Sequence, residues 1–196
     1  MNAQGYQKAR GRLGRAEQAL ESLKAAKTFD DFDTAWTDLL LALNSVYAIL
    51  EQASKQTPQS RQWFGARKKQ RRKDQLLSYF HQARNTDEHG IEQVTERHEQ
   101  AIGIGDPGSE SRIEHASFGG KKVQVRFDPS LPDKSITIYP AKIRLPPVVN
   151  SIYGDRFEPP TEHLGKPLDD LSILGLAATA LQAHATLLDE AEKLIS

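Results

Sequence analysis

Several kinds of chemistry are excluded by what this chain lacks. None of its 196 residues is cysteine, so it has no disulfides, thiolate metal ligands or cysteine nucleophiles. Its longest apolar run, residues 39–43, is far shorter than the roughly 18 residues that a membrane span requires. The amino-terminal charges have no apolar segment behind them, unlike those of a secretory signal. We therefore expect a cytoplasmic protein that has no membrane partner.

Recognisable catalytic motifs are also scarce. The sequence contains no glycine-rich phosphate loop, no nucleophile elbow and no paired-histidine zinc motif. His115, His163 and His184 have neither the spacing partner nor the acidic cluster that is typical of metal ligands, so we interpret them as ordinary. The sequence therefore predicts no metal and no cofactor.

Charge is balanced over the whole chain but is unevenly distributed. Residues 61–73, named here the basic block, contain no acid. Their cations are Arg61, Arg67, Lys68, Lys69, Arg71, Arg72 and Lys73. Among the charged residues of the later stretch 87–114, eight are acidic and only two, Arg97 and Arg112, are basic. A local block of this kind indicates an anion-binding face, and the alternative is an ordinary solvated helix face.

Apolar residues at spacings of three and four predict a mainly helical fold. The expected helices cover residues 3–27, a second range that starts within 28–33, then 58–89 and 168–195. Thr57 and Pro58 mark the start of the third helix, because threonine caps well and proline is tolerated in the first turn. We expect this helix to bend near Gly65 and residues 91–102 to form another short helix.

The pattern changes to short alternating segments after residue 112. These segments predict a three-stranded antiparallel β-meander over residues 112–145, with a tight hairpin at Gly119-Gly120. Pro140 favours an edge position or a bulge in the third strand. Residues 146–167 are rich in proline and glycine, and we expect them to wrap the surface.

The expected architecture is a four-helix bundle with a small antiparallel β insertion before the last helix. Residues 3–102 and 168–195 would form the bundle, residues 112–145 the insertion, and the whole chain, 1–196, one domain. A meander of this size would be marginal alone, so we expect it to depend on the helices.

The stretch over residues 73–90 is the best candidate for a chemical site. At about 100° per residue, its side chains divide between two faces of a helix. The apolar face carries Leu76, Tyr79, Phe80 and Ala83. The opposite face, named here the polar arc, carries His81, Arg84, Asn85 and His89. The polar arc therefore presents a permanent cation, an amide and two imidazoles.

That set of groups suits cleavage of RNA at a phosphodiester. RNA supplies its own nucleophile in the 2′-hydroxyl, so an enzyme needs only proton transfer and a cation beside the phosphate. Histidine titrates near neutral pH, and arginine holds two phosphate oxygens at once. One copy supplies few groups, so two helices facing each other across a dimer would make a more complete cleft.

The run Arg84-Asn85-Thr86-Asp87-Glu88-His89 matches an Arg-(Asn/Asp)-x-x-x-His motif near the end of a helix. It resembles the HEPN superfamily of α-helical bundles, many of which are metal-independent endoribonucleases of toxin–antitoxin, phage-defence and RNA-processing systems. The resemblance implies Arg84 and His89 as the catalytic pair, Asn85 as their polar helper and RNA as the substrate. It also implies a homodimer, with an antitoxin or another protein as a further partner. It does not account for the β insertion.

Alternatives remain open beside this hypothesis. Arg84 and Glu88 are spaced for a helix-end ion pair, and His89 would suit the helix dipole. The same face would also serve a non-catalytic module that binds a nucleotide, RNA or a protein, and a plain helical interaction protein is a third hypothesis.

The expected substrate-binding residues are Arg67, Lys68, Arg71, Arg72 and His81. Trp63 and Phe64 are expected to be core residues, with base stacking as the alternative.

Overall fold

The computed structural model describes the backbone of residues 1–89, 94–98, 101–104, 113–119, 122–127, 136–139, 142–150 and 153–195. Side chains are described for residues 1–87, 94–97, 143–150 and 153–195. The chain divides into two compact units, one of Met1–Glu96 with Ile143–Ser196 and the other of Arg97–Lys142. The second unit begins upstream of the predicted insertion at 112–145. The assignment of the whole chain to one domain stays a prediction.

The first unit begins with two long helices, α1 (Ala3–Ala25) and α2 (Phe29–Ala53). Their starts follow cap chemistry, because the side chains of Asn2 and Thr28 accept hydrogen bonds from Gly5 N and Asp31 N. The start of α1 packs closely on the end of α2. A Cβ built on Gly5 would lie only 2.7 Å from Cβ of Ala53, so glycine is required for this approach.

The single helix predicted over 58–89 is wrong, because the chain breaks into α3 (Pro58–Lys73) and α4 (Gln75–His89). The break lies at Asp74, whose backbone is extended, and not at Gly65. The carboxylate of Asp74 accepts from Leu77 N at 2.8 Å and so caps α4. The predicted start of α3 is confirmed, with Thr57 as the cap and Pro58 in the first turn.

The last helix, α5 (Ile173–Glu192), is shorter than the predicted 168–195. Its cap is Ser172, whose hydroxyl accepts from Gly175 N at 3.1 Å. Asp170 lies before the helix and accepts from Ser172 N, so it orders the cap residue. A short 3₁₀ turn, Ser54–Gln56, links α2 to α3.

Two groups of buried side chains form the core of the first unit. The larger group joins α1, α2, α4 and α5 through residues such as Leu20, Trp36, Leu40, Tyr79, Phe80 and Ala177. The smaller group lies where α1, α2, α3 and α5 meet, around Tyr6, Val46, Leu50, Phe64 and Leu188. The predicted apolar face of α4 is buried as expected, because Leu76, Tyr79, Phe80 and Ala83 all lie in the larger group.

Short strands occupy the chain between α4 and α5. They are β1 (Glu96–His98), β2 (Ala101–Ile104), β3 (Ile113–Gly119), β4 (Lys122–Phe127), β5 (Ile136–Tyr139), β6 (Lys142–Arg144), β7 (Val148–Val149), β8 (Arg156–Phe157), β9 (Glu162–His163) and β10 (Lys166–Pro167). The prediction of a mainly helical chain with small antiparallel sheets is therefore confirmed in outline. The HEPN-like bundle stays a prediction.

Strand pairing differs from the predicted meander. β3 and β4 pair antiparallel as the hairpin prediction requires, but Gly119 belongs to β3 and lies opposite Lys122, so the predicted turn at Gly119-Gly120 is not confirmed in its position. In the part of the chain that the structure describes, β5 pairs with β2 and not with β4, so the three-stranded meander is wrong. The predicted helix over 91–102 is also wrong, because β1 and the start of β2 lie in that range. Local alternation marks a strand but does not select its partner. Pro140 lies outside the described residues.

The described residues 146–150 and 153–167 contain two antiparallel strand pairs, β7–β8 and β9–β10, named here the two small hairpins. They run along α4, where Tyr79 donates its hydroxyl hydrogen to Pro146 O at 2.7 Å. At the second hairpin Gln75 Oε1 accepts from Thr161 N at 3.3 Å. The hairpins therefore cover one side of α4 and fix the direction in which its remaining side chains face.

Candidate anion-binding surface and adjoining cavity

Arg84 and Asn85 lie together near the end of α4. Arg84 Nη1 donates to Asn85 Oδ1 at 3.1 Å, and both side chains are half-buried. The neighbouring turn is anchored from two sides. Asp87 Oδ1 accepts from the Thr37 hydroxyl at 3.3 Å, and Thr86 donates to Val149 O at 3.5 Å. His89 is the last residue of α4, and its side chain and that of Glu88 lie outside the described side chains.

His81 lies half-buried between the basic block and Arg84. The pKa of His81 is lowered to about 4, chiefly by burial and additionally by the positive charges of Arg71, Arg84, Arg72 and Lys68. Positive charges favour the neutral form of an imidazole, and Arg71 lies with His81 in the lining of one small cavity. These cations come from both α3 and α4. Together with His81 they are named here the basic surface, which comprises Lys68, Arg71, Arg72, His81 and Arg84.

Arg71 occupies the inner edge of the basic surface. Its guanidinium carbon lies 4.0 Å from the centroid of the Tyr47 ring, a cation–π contact, and burial lowers the pKa of Arg71. Arg71 Nε and His81 Nδ1 are both buried, and neither has a hydrogen-bond partner among the described residues. Both residues line a cavity of about 20 Å³ beside Asn44, a space for one water-sized polar group.

The other predicted substrate-binding cations are distributed differently. Arg72 is exposed on the basic surface. Lys68 pairs with Glu51 at 2.6 Å across α2 and α3. Arg67 faces α5, where its Nε lies 2.8 Å from Glu190 Oε2. Its charge is balanced there, so the structure places Arg67 apart from the cations around His81.

Arg67 belongs instead to a second feature, a cavity of about 130 Å³ named here the α3–α5 cavity. Its walls include the apolar side chains of Leu77, Ala183 and Leu187. Its polar groups come from Arg67, Gln70, Glu190, His163 and His184. Leu77 and His184 also line the small cavity that contains Arg71 and His81. The α3–α5 cavity is therefore separated from these two residues of the basic surface only by shared wall residues.

His184 is buried in α5 with a fixed ring orientation. Its Nδ1 lies 2.7 Å from Ala180 O, so Nδ1 is the donor and Nε2 carries the lone pair. Burial lowers the pKa of His184 to about 4, although the Ala180 carbonyl acts in the opposite direction. The imidazole is therefore neutral at neutral pH and offers one acceptor atom.

The turn between β9 and β10 closes one side of the α3–α5 cavity. Asp74 fixes this turn, because Oδ2 accepts from Leu164 N at 2.6 Å and Oδ1 lies 3.0 Å from His163 Nδ1. Leu164 and Gly165 have φ values of 51° and 73°, which are typical of the two central residues of a type I′ turn. Leucine is strained in this conformation and is nevertheless half exposed at 53%.

Sequence reasoning missed most of this cavity. No local spacing joins His163 to His184, so the sequence does not identify them as parts of one cavity. Asp74 carried a usable signal, since an aspartate directly before an apolar run is a typical helix cap. Phe64 is a core residue as expected and packs edge-on to Tyr47. Trp63 is partly buried against the same group, and its Nε1 donates to Glu190 at 3.2 Å.

Comparison of the chain with protein-family models, curated proteins and solved structures found no match. Within the residues that the structure describes, no three histidine or acidic side chains are arranged to hold a metal ion. No helix in the same part of the chain is long and apolar enough to cross a membrane.

Proposed function

We propose that this protein is a metal-independent endoribonuclease of the HEPN-like type, with its site at a homodimer interface. Arg84 stabilises the phosphate, His89 transfers protons, and Asn85 holds Arg84 in place. The basic surface around His81 holds the neighbouring phosphates of the strand. The biological setting is a toxin, defence or RNA-processing system.

The convergence of cations around His81 is the observation that carries the proposal. Arg71, Arg72 and Arg84 come from two helices, and the positive charges of all three act on His81. No carboxylate forms an ion pair with Arg71 or Arg72 among the described residues. Phosphate contacts from Arg and Lys supply most of the sequence-independent affinity for nucleic acids. Since Arg84 also lies in the Arg-x-x-x-x-His motif, the basic surface leads along α4 to the proposed reacting groups.

The reaction needs no oxidant, metal or cofactor. The RNA 2′-hydroxyl oxygen attacks the adjacent phosphorus, and the bond from phosphorus to the 5′-oxygen breaks. The products are a 2′,3′-cyclic phosphate and a free 5′-hydroxyl. One imidazole accepts the proton of the 2′-hydroxyl, and a protonated imidazole supplies the proton of the leaving oxygen. Two copies of His89 across a dimer provide both groups, and Arg84 stabilises charge on the phosphoryl oxygens.

A second candidate is a module that binds RNA or nucleotides without cutting them. The cations concentrate around His81, two helical turns before His89, and this favours a binding role for the surface. His81 itself is neutral at neutral pH and is therefore a poor proton donor.

Cleavage of mixed single-stranded RNA in EDTA separates the two candidates. Wild type is compared with Arg84→Ala, His89→Ala and the control Arg15→Ala, which removes an exposed arginine from α1. The enzyme proposal predicts cleavage by wild type and by the control, and a loss of at least about a hundredfold in the other two. Equal cleavage by all four proteins would contradict it. RNA binding without cleavage by wild type would support the second candidate.

A further inference from the structure

The α3–α5 cavity has the features of a built binding site and takes no part in the proposed cleavage. It lies within the first unit and is bounded by α2, α3, α4, α5 and the β9–β10 turn. One of its walls is the strained Leu164, which Asp74 holds by its backbone N–H. Strained residues of this kind cluster where a fold positions a ligand.

Charges at the cavity cancel. Glu190 lies against Arg67 Nε at 2.8 Å, and the same carboxylate accepts from Trp63 Nε1. Arg67 Nη1 donates to Gln70 Oε1 at 2.8 Å, so the guanidinium is also held on its second side. A phosphate or a carboxylate entering here would find its cation already paired. A charged ligand would therefore lose its hydration without gaining a partner, whereas an uncharged ligand avoids this desolvation cost.

Hydrogen-bonding groups define the ligand further. His184 uses Nδ1 on the Ala180 carbonyl, which leaves Nε2 as an acceptor in a ring that stays neutral at neutral pH. His163 is likewise held through Nδ1 by Asp74. Two imidazoles fixed in this way resemble metal ligands, but with Glu190 they do not form a cluster able to hold a metal ion. The partner that fits a neutral acceptor is an N–H or O–H donor.

The volume and the apolar walls of the α3–α5 cavity limit the size and type of its ligand. A volume of about 130 Å³ is small for a drug-sized molecule and suits a single ring. Leu77, Ala183 and Leu187 supply apolar walls. We infer that the α3–α5 cavity binds an uncharged nitrogen heterocycle with an N–H donor, the chemistry of a pyrimidine nucleobase. Its ring packs between Leu77 and Leu187, and its N–H donates to His184 Nε2.

Two sources supply this ligand, a free base and a base within an RNA strand. The cavity adjoins Arg71 and His81 through Leu77 and His184, so a nucleotide of a strand on the basic surface has a short path to it. The inference itself does not depend on RNA cleavage, because a free base needs no cleavage to bind.

The test uses the full chain with ¹⁵N-labelled histidine and follows the Nε2 resonance of His184 by NMR. Uracil, cytosine, benzene and inorganic phosphate are added separately, and a short single-stranded oligonucleotide forms a fifth arm. Uracil or cytosine should shift this resonance saturably, with a dissociation constant on the order of 1 mM. Benzene should bind at least about tenfold more weakly and phosphate should leave the resonance unchanged. A response to the oligonucleotide alone would identify a base within a strand as the source.

Ala183→Leu fills the cavity and should abolish the response to the bases. Ala178→Leu makes the same change at an exposed position of α5 and should preserve it. Equal binding by both variants, equal binding of benzene and uracil, or a shift caused by phosphate would overturn the inference. Absence of any response to the bases and the oligonucleotide in the wild-type spectrum would also overturn it, whether or not Ala183→Leu folds.

Discussion

The Asp74 carboxylate lies 3.0 Å from the imidazole Nδ1 of His163, a residue 89 positions further along the chain. The same carboxylate caps α4 through Leu77 N and holds Leu164 N at 2.6 Å. The Asp74 side chain therefore caps α4 at its junction with α3 and also fixes the β9–β10 turn. The position of the basic block relative to α4, and one wall of the α3–α5 cavity, both depend on it.

Replacement of Asp74 by alanine should lower the free energy of unfolding by about 2–4 kcal/mol, because it removes a helix cap and two further hydrogen bonds at a buried site. Urea denaturation followed by circular dichroism measures this change. Asp189→Ala, at an exposed position of α5, is the matched control and should change it by less than about 0.5 kcal/mol. Equal stability of the two variants would contradict the role of Asp74.

Leu164 offers a stabilising change in the same turn. Its φ of 51° favours asparagine or glycine, and Asn-Gly is the preferred pair for a type I′ turn. Leu164→Asn should therefore raise the free energy of unfolding by about 1 kcal/mol. Leu171→Asn, at another exposed leucine, should give no such gain. A loss of stability in Leu164→Asn would show that the apolar contact of Leu164 outweighs its strain.

Two glycines of α1 test the packing of α1 against α2. Gly5→Ala should destabilise the protein by about 1–3 kcal/mol, because the new Cβ would lie 2.7 Å from Ala53 Cβ. Gly11→Ala has open space around it and should stabilise the protein by about 0.5–1 kcal/mol through helix propensity. Thermal unfolding of both variants beside wild type measures the two effects. Stabilisation by both substitutions would contradict the close approach at Gly5.

Acid should destabilise the fold through His184. Because its pKa falls from 6.5 to about 4 on folding, the unfolded chain binds the additional proton between those values. The stability that depends on a neutral His184 is therefore complete above pH 6.5 and is lost as the pH falls towards 4. The free energy of unfolding should decrease by about 3 kcal/mol over this range. Denaturation at several pH values should show this slope in wild type and in Thr186→Ala, an exposed control. The slope should decrease in His184→Leu, and an unchanged slope there would refute the assignment.

Local chemistry was enough to predict some of this molecule. Thr28 and Thr57-Pro58 mark helix starts whose caps involve only neighbouring residues, and the apolar period of α4 identified its buried face. The break at Asp74 was missed because helical character continues on both sides of it. The pairing of β2 with β5 joins distant segments, so alternation within each segment gives no register.

At the candidate sites, too, contacts between neighbouring residues could be predicted from the sequence, and contacts between distant helices could not. The motif from Arg84 to His89 is contiguous, and its first two residues do lie in contact. The basic block was predicted to act as one face, but Arg67 pairs with Glu190 of α5 while Arg71 faces Tyr47 and His81. That separation follows from how α3 packs between two other helices. The sequence of α3 alone therefore does not specify it.

The chemistry of the proposed cut is tested most directly with an oligoribonucleotide that wild type cleaves at one position in EDTA. A matched oligonucleotide carries a single 2′-deoxy residue on the 5′ side of that bond. We predict a 2′,3′-cyclic phosphate and a 5′-hydroxyl from the first substrate and no cleavage at that bond in the second. Cleavage of both substrates, or a 5′-phosphate on the product, would contradict attack by the 2′-hydroxyl and with it the roles of Arg84 and His89.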